Sequence, residues 1–432
     1  MSDKATTAAV NTTNGEPVEK IPGYAWYALS LLTIVYVLNF LDRTLIYLLF
    51  TPIKAEMHLT DTQLALLGTT SFVIFYTLLG IPFGRMADRV SRKKLIAGGL
   101  TVWALFSGLT GFAHDFWGIF LCRVMVGVGE ATLGPAALSL LSDYFPPRVR
   151  ATVQAVYSSG IAIGAGVAFF LGGWIAKDYG WRWAFYLLGF PGLFFAVLVL
   201  LLKEKPRGQT ENAAAATSYS RDDWRVLFTS RPLIYLYLGY ALFGLAANSL
   251  SIWGATFFMR VHGMDLRLIG KLGGILSIVA GVPGTILGGY VADRLRRKGR
   301  GGRMLFSACG ALVAVPCWIA LLFSNSVWAL LLASFILLAL SLMWLGPAAA
   351  DVHEIAGPKL RGLGIGIYFF AVNIAAYAIG APLVGKLNDM LGAESNPAGM
   401  RYALLVSPLA CVASASLLWL GSKKLREENK TA

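Results

Sequence analysis

Four ionisable residues stand inside stretches otherwise suited to hydrocarbon: Asp42 and Arg43 in one apolar run, Arg123 and Glu130 in another. On insertion scales each charged side chain costs about 2.5 to 3.5 kcal/mol at the centre of a membrane helix, so four together demand partners or a wet cavity. A guanidinium in such a place can hold an anionic group, and a carboxylate whose surroundings change can take up and release a proton. Arg123 and Glu130 are seven residues apart, which puts them on one helix face with about 10 Å of rise between them, too far for direct pairing. With the two runs antiparallel, Asp42 and Arg123 fall at similar depth, and an ion pair between them is expected. Glu130 then lies near mid-membrane with no partner close in sequence. Arg43 projects about 100° away from Asp42 around its helix and reads as structural or gating. A fixed buried network that only sets helix packing is the competing reading of all four.

The elements that must position these groups follow from composition. Of 432 residues 56% are hydrophobic and 14% charged, against roughly 25% charged in a soluble domain. The apolar residues fall in blocks near twenty long, each able to cross about 30 Å of hydrocarbon as a helix. Twelve spans are expected, near 24–50, 62–84, 95–113, 117–144, 150–175, 182–202, 232–259, 266–292, 304–323, 327–350, 361–385 and 400–421. The first 23 residues show no cleavable signal pattern, so the first span is expected to direct its own insertion. Twelve crossings put both termini on one face, and that face with its loops carries 27 of the 37 Lys and Arg. The positive-inside rule makes it cytoplasmic. The net charge of +14 is thereby assigned to anionic lipid headgroups rather than nucleic acid. Four scattered cysteines and four scattered histidines suggest neither disulfides nor a metal site. With no Walker lysine, no metal cluster and no nucleophile–base pair, neither a cofactor nor an enzyme is expected.

The chain repeats itself. Gly84-x-x-Ala87-Asp88-Arg89-x-x-Arg92-Lys93 after the second span recurs as Gly289-x-x-Ala292-Asp293-Arg294-x-x-Arg297-Lys298 after the eighth. Gly134-Pro135-Ala136-Ala137 recurs as Gly346-Pro347-Ala348-Ala349, and Arg150 to Tyr157 as Arg361 to Tyr368. Three echoes in one order at nearly constant offset indicate a duplicated six-helix unit. The expected organisation is a tail at 1–23, a bundle at 24–202, a linker at 203–231 with a short surface helix near Trp224, a second bundle at 232–421 and a tail at 422–432. Gly160-x-x-x-Gly164-x-Gly166 with Gly172-Gly173, and Gly362-x-Gly364-x-Gly366, are expected to let neighbouring helices approach closely.

The twin loops, the Gly180-Trp181-Arg182-Trp183 segment and the twelve-span layout resemble the major facilitator superfamily over nearly the whole chain. Within it, Asn39-Phe40-Leu41-Asp42-Arg43 and Arg123-x-x-x-Gly127-x-Gly129-Glu130, followed by Pro135 and Asp143-Tyr144-Phe145-Pro146, resemble the Spinster branch. Animal members of that branch move sphingosine 1-phosphate or lysophospholipids. The resemblance implies an all-α fold of two pseudo-symmetric bundles and secondary transport by alternating access, with spans 1, 4, 7 and 10 lining the cavity. The loop acids would act as a conformational latch: Asp88 with Gly84, Arg89, Arg92 and Arg150, and Asp293 with Arg294. The second half offers no central charge. With Asn39 and Tyr47 of the first half, Asn248, Trp344, Tyr368, Asn373 and Tyr377 are candidate cavity groups, although Trp344 and Tyr368 also fit plain packing. Charge on one wall and apolar groups on the other suit an anionic, lipid-like amphiphile, with protons as the coupling ion. An organic-anion symporter and a multidrug proton antiporter remain alternatives. A monomer in the inner (plasma) membrane is expected.

Overall fold

The computed structural model describes residues 21–87, 89–146, 149–204, 225, 227–299 and 301–431. Its regular structure is helical throughout, and twelve helices are long and apolar enough to span a membrane. We number these α1 (Gly23–Leu48), α2 (Asp61–Ala87), α3 (Arg92–Phe112), α4 (Phe116–Tyr144), α5 (Thr152–Tyr179), α6 (Trp181–Leu200), α7 (Arg231–His262), α8 (Leu266–Arg297), α9 (Gly302–Phe323), α10 (Val327–Gly357), α11 (Leu360–Met390) and α12 (Pro397–Glu427). The protein is a multi-pass integral membrane protein. Exposed Trp117, Trp183, Trp328 and Tyr402 ring one end of the bundle, and Trp26, Tyr290 and Trp419 the other, as aromatic side chains do at membrane interfaces.

All twelve expected spans exist, with ends shifted by several residues. A short helix, Phe50–Met57, follows α1 and ends at His58 in the left-handed region (φ 53°). Most of the 203–231 linker, Trp224 included, lies outside the described residues.

Local sequence explains where the spans deviate. α4 is two helices, Phe116–Glu130 and Leu133–Tyr144, and α10 likewise changes course at Trp344. Each break falls just ahead of a repeated Gly-Pro pair, Gly134-Pro135 and Gly346-Pro347. Proline has no N–H for the preceding turn and is best accommodated near a helix start, although Pro82, Pro283 and Pro316 lie within α2, α8 and α9. The break after Glu130 therefore fixes that carboxyl at the end of a helical segment.

Packing shows how the halves meet. Toward the face away from the termini, one continuous core runs through both halves, joining Leu45, Phe50 and Ile119 to Trp253, Phe257 and Leu404. Toward the terminal face the halves keep separate cores, one around Trp103 and Leu140, the other around Trp344 and Val352. The shared region depends on glycine. A Cβ on Gly173 of α5 would lie 2.9 Å from Gly270 Cα of α8, and one on Gly270 would lie 2.5 Å from the Phe169 carbonyl oxygen. Gly164 similarly admits α1, whose Val37 carbonyl oxygen would be 2.4 Å from an added Cβ. Gly362 and Gly366 face open space, so the close approach expected at that second glycine run is confined to Gly364, where an added Cβ would sit 3.0 Å from Val352.

Candidate substrate and coupling site

α1 and α4 bring the four buried charges together inside the amino half, in a pairing that differs from the expected one. Arg43 Nε donates to Glu130 Oε2 at 2.6 Å, whereas Asp42 Oδ1 accepts from Ser107 Oγ of α3 at 2.7 Å. The expected Asp42–Arg123 ion pair is not formed, and Glu130 does have a cation. Arg43, read from sequence as structural or gating, is thus at the centre of the site. The direction each side chain takes around its helix decided the partners, sending residue 42 toward α3 and residue 43 toward α4.

Aromatic rings complete the cradle. The Arg43 guanidinium lies 5.1, 4.7 and 4.3 Å from the ring centroids of Phe40, Phe72 and Tyr76, and Arg123 lies 5.4 Å from Phe72. Phe72 therefore meets both cations, a contact that attracts through the ring quadrupole. Neither Phe72 nor Tyr76 carried a sequence signal beyond being apolar in a span.

The site has unused hydrogen-bonding capacity. Arg123 Nε and Nη2, both amide atoms of Asn39 and Glu130 Oε1 are buried without a hydrogen-bond partner among the described residues. Buried polar atoms normally find partners; the Asn39 amide stands beside Glu130, and the two open guanidinium positions of Arg123 are what a polar ligand or water would fill. Arg43 is the least enclosed of the four charges, with 15% of its side chain exposed.

The carboxyl half contributes differently. Tyr377, in a π-helical stretch of α11 (Ile374–Gly380), donates to Asn248 Oδ1 at 2.6 Å, and Asn248 Nδ2 donates to the Gly244 carbonyl oxygen at 2.8 Å. Thr70 of α2 reaches the Tyr377 carbonyl oxygen across the halves at 3.5 Å. Tyr47 is buried edge-on to Phe50, and Asn373 is half-buried. Trp344 stacks on Tyr240 with centroids 5.6 Å apart and meets Tyr368 edge-on at 6.4 Å. At 2% and 0% exposed, Trp344 and Tyr368 are packed into that half's core rather than facing a cavity in this conformation.

A lock that the sequence did not reveal closes the face away from the termini. Arg260 of α7 donates Nη2 to Asp61 Oδ1 at 2.8 Å, and Lys54 reaches Asp61 at 2.8 Å and Glu394 at 3.0 Å. Asp389 of α11 accepts from the N–H groups of Asp61 and Thr62 at 2.8 and 2.9 Å, capping the first turn of α2 from the opposite half. Lys177 of α5 pairs with Asp265 beside α8 at 2.6 Å. These partners come from separate loop edges and have no common motif. Nearby, Trp181 Nε1 donates to Glu56 Oε2 at 2.6 Å, and Arg182 pairs with the same carboxyl. The hydrogen bond from Arg182 holds Glu56 below the usual carboxylate range.

The Major Facilitator Superfamily profile matches residues 32–315. The chain belongs to that superfamily. It is similar to an MFS-type efflux pump of Mycolicibacterium smegmatis, 28% identical over 98% of each chain. It is similar also to Protein spinster of Drosophila melanogaster, 28% identical over 91% of this chain and 67% of that protein. Among solved structures, a bacterial homologue of the human lysosomal transporter Spinster, in an inward-facing and unoccupied conformation, superposes with a TM-score of 0.82 at 26% identity, covering 94% of this chain and 98% of that one. The protein is a Spinster-like transporter of the superfamily.

In this transporter the terminal face carries the twin loops. Asp88 lies outside the described residues. Arg92, offered above as its partner, is fully buried, paired with Asp143 and 3.1 Å from Glu204. Arg150 donates to the Ser142 carbonyl oxygen at 3.1 Å. Gly84 sits beside Pro135 of α4, while Arg89 is exposed. Asp293 pairs at 2.8 Å with Arg303 of α9, not with the exposed Arg294 that follows it in the last turns of α8. Among the described residues no ion pair joins the halves at this face.

Proposed function

We propose that the protein moves an anionic, lipid-like amphiphile across the membrane by alternating access, coupled to protons through Glu130. The observation that carries this reading is the buried, partly unpartnered guanidinium of Arg123 beside the Arg43–Glu130 pair. A guanidinium with free N–H groups and a ring on one side is built to receive an anionic oxygen, and Asn39 can add an amide. Protonating Glu130 would release Arg43, so that the Glu130 carboxylate and the headgroup compete for one cation and proton uptake favours headgroup capture. The apolar walls of the carboxyl half suit a tail. Positive-inside asymmetry supports a cytoplasmic terminal face, and the separate cores there, with the locked opposite face, support an inward-facing conformation.

A multidrug proton antiporter is the second reading, supported by the efflux-pump relative. A cationic drug would need the carboxylates and have no use for Arg123. Flux of a lysophospholipid and of a lipophilic cation in liposomes, with and without a pH gradient, separates the readings. We expect Arg123→Ala to lower affinity for the anionic lipid by about 2 to 5 kcal/mol, and Glu130→Gln to remove the gradient response while leaving binding largely intact. If Glu130→Gln keeps the full response, coupling through Glu130 is wrong. Lipophilic-cation flux untouched by Arg123→Ala, with no lysolipid flux in the wild type, would establish the second reading instead.

A further inference from the structure

The carboxyl half contains a buried carboxyl that the substrate site does not use. Asp351 of α10 is 1% exposed and lies among groups from three other helices: Arg303 of α9, Arg296 of α8 and Tyr240 of α7, besides its own neighbour Glu354. Glu354 takes Arg296 in a two-pronged pair at 2.7 and 2.7 Å and also receives Arg303 Nη1 at 3.2 Å. Arg303 Nε is taken by Asp293 at 2.8 Å. Asp351 is left with Oδ1 at 3.6 Å from Arg303 Nη1, outside hydrogen-bonding distance, and with Oδ2 buried and unpartnered. The nearby hydroxyl of Tyr240 donates to Ser307 Oγ at 3.0 Å instead.

The amino half shows what this position looks like with a hydroxyl in place of the carboxyl. Counting from the repeated Gly-Pro pairs, Ser139 of α4 corresponds to Asp351 of α10. Arg92 Nη1 pairs with Asp143 and donates to Ser139 Oγ at 3.1 Å, just as Arg303 Nη1 faces Glu354 and Asp351. Duplication has thus placed a carboxyl where its twin has a neutral hydroxyl, and among the described residues Asp351 shares the Arg303 guanidinium with Asp293 and Glu354. A carboxylate there would lose its hydration and receive no donor, whereas a carboxylic acid is neutral and can stay buried.

We propose that Asp351 is a second proton-carrying group of the transport cycle. It is neutral while the terminal face is open and releases its proton when Arg303 turns from Asp293 to it. The exposed Asp293, with 59% of its side chain accessible, is the most solvent-screened hold on that arginine, so a movement of the end of α8 that draws Asp293 away delivers the cation. The proposal needs only that the two halves alternate, and its test uses no substrate, so its failure would leave the amphiphile reading standing.

The test is infrared spectroscopy of the full chain in lipid nanodiscs, following the stretching band of protonated carboxyl groups. An Asp42→Asn/Glu130→Gln background removes the two acids of the substrate site. We expect a protonated-carboxyl band to persist near neutral pH in that background and to be lost on adding Asp351→Asn. Should that variant fold poorly, isotopic labelling of aspartate carboxyl carbons in the background protein should shift the same band. Distances across the terminal face should keep a pH-dependent component in the background and lose it in Asp351→Ser, which restores the amino half's hydroxyl. No band in the background, a band indifferent to both the substitution and the label, or pH-dependent distances unchanged by Asp351→Ser would overturn the proposal.

Discussion

In the amino half, α1 and α4 hold Asp42, Arg43, Arg123 and Glu130 in the interior, with two guanidinium groups sharing the Phe72 ring. In the carboxyl half, the corresponding α7 and α10 hold Tyr240 and Trp344, stacked at 5.6 Å and joined by Tyr368. One repeated backbone plan therefore carries charge on one side and aromatic packing on the other. The difference suggests that a duplicated bundle need not duplicate its chemistry. One half can keep the costly, ligand-seeking groups while the other supplies a rigid apolar wall against which they work.

The largest expected effect attacks the charged side of this comparison. Arg43→Met leaves Glu130 buried without its cation, and breaking a buried pair costs about 3 to 5 kcal/mol. Thermal unfolding in detergent should fall markedly, and the Arg43→Met/Glu130→Gln double variant should recover most of the loss. A single variant as stable as wild type would show that the pair is not what holds the charge in place.

Next in size is the lock that joins the halves. Asp61→Asn removes the carboxylate shared by Arg260 and Lys54, and truncating one partner of a buried charge pair costs about 2 to 5 kcal/mol. Because that cost falls on one conformation, spin-label distances across this face should shift toward opening by more than tenfold in population. An unaltered distance distribution would mean that glycine packing between α5 and α8 suffices to close it.

Tyr368→Phe probes the aromatic side and should do little. Its hydroxyl is buried without a partner, and removing an unsatisfied polar group is neutral or stabilising by about 1 kcal/mol. Flux should stay within about fivefold of wild type, the factor that about 1 kcal/mol represents. A collapse of flux would bring the aromatic wall into the substrate site and end the contrast.

The smallest effect concerns Glu56. Its carboxyl is held below the usual range by the hydrogen bond from Arg182. A depressed folded value means that the stabilisation is present above the unfolded carboxylate range and is lost as pH falls through the depressed value. With 49% of the side chain exposed, screening leaves only a few tenths of a kcal/mol to about 1 kcal/mol. Glu56→Gln should flatten the acid side of the stability profile by that amount and leave the neutral side nearly parallel to wild type. A steeper acid limb in the variant would contradict the assignment.

The sequence by itself determined the twelve spans, the duplication and the identity of the buried charges. Each of these is a property of one helix at a time. A run of twenty apolar residues has few alternatives in a bilayer, and a charge inside it is conspicuous whatever surrounds it. The repeated Gly-Pro pairs even marked where α4 and α10 break. What tertiary structure alone decided was who meets whom. Whether Glu130 meets Arg43 or stands alone depends on the rotation of α1 about its axis, which no spacing within α1 reveals. The Asp61–Arg260 and Asp389 contacts join residues 199 and 328 positions apart, and the surplus carboxyl at Asp351 stands out only after four helices are packed around it. Side-chain direction around a helix and the pairing of distant loops are set by packing between helices, where an error of one residue turns a partner about 100° away.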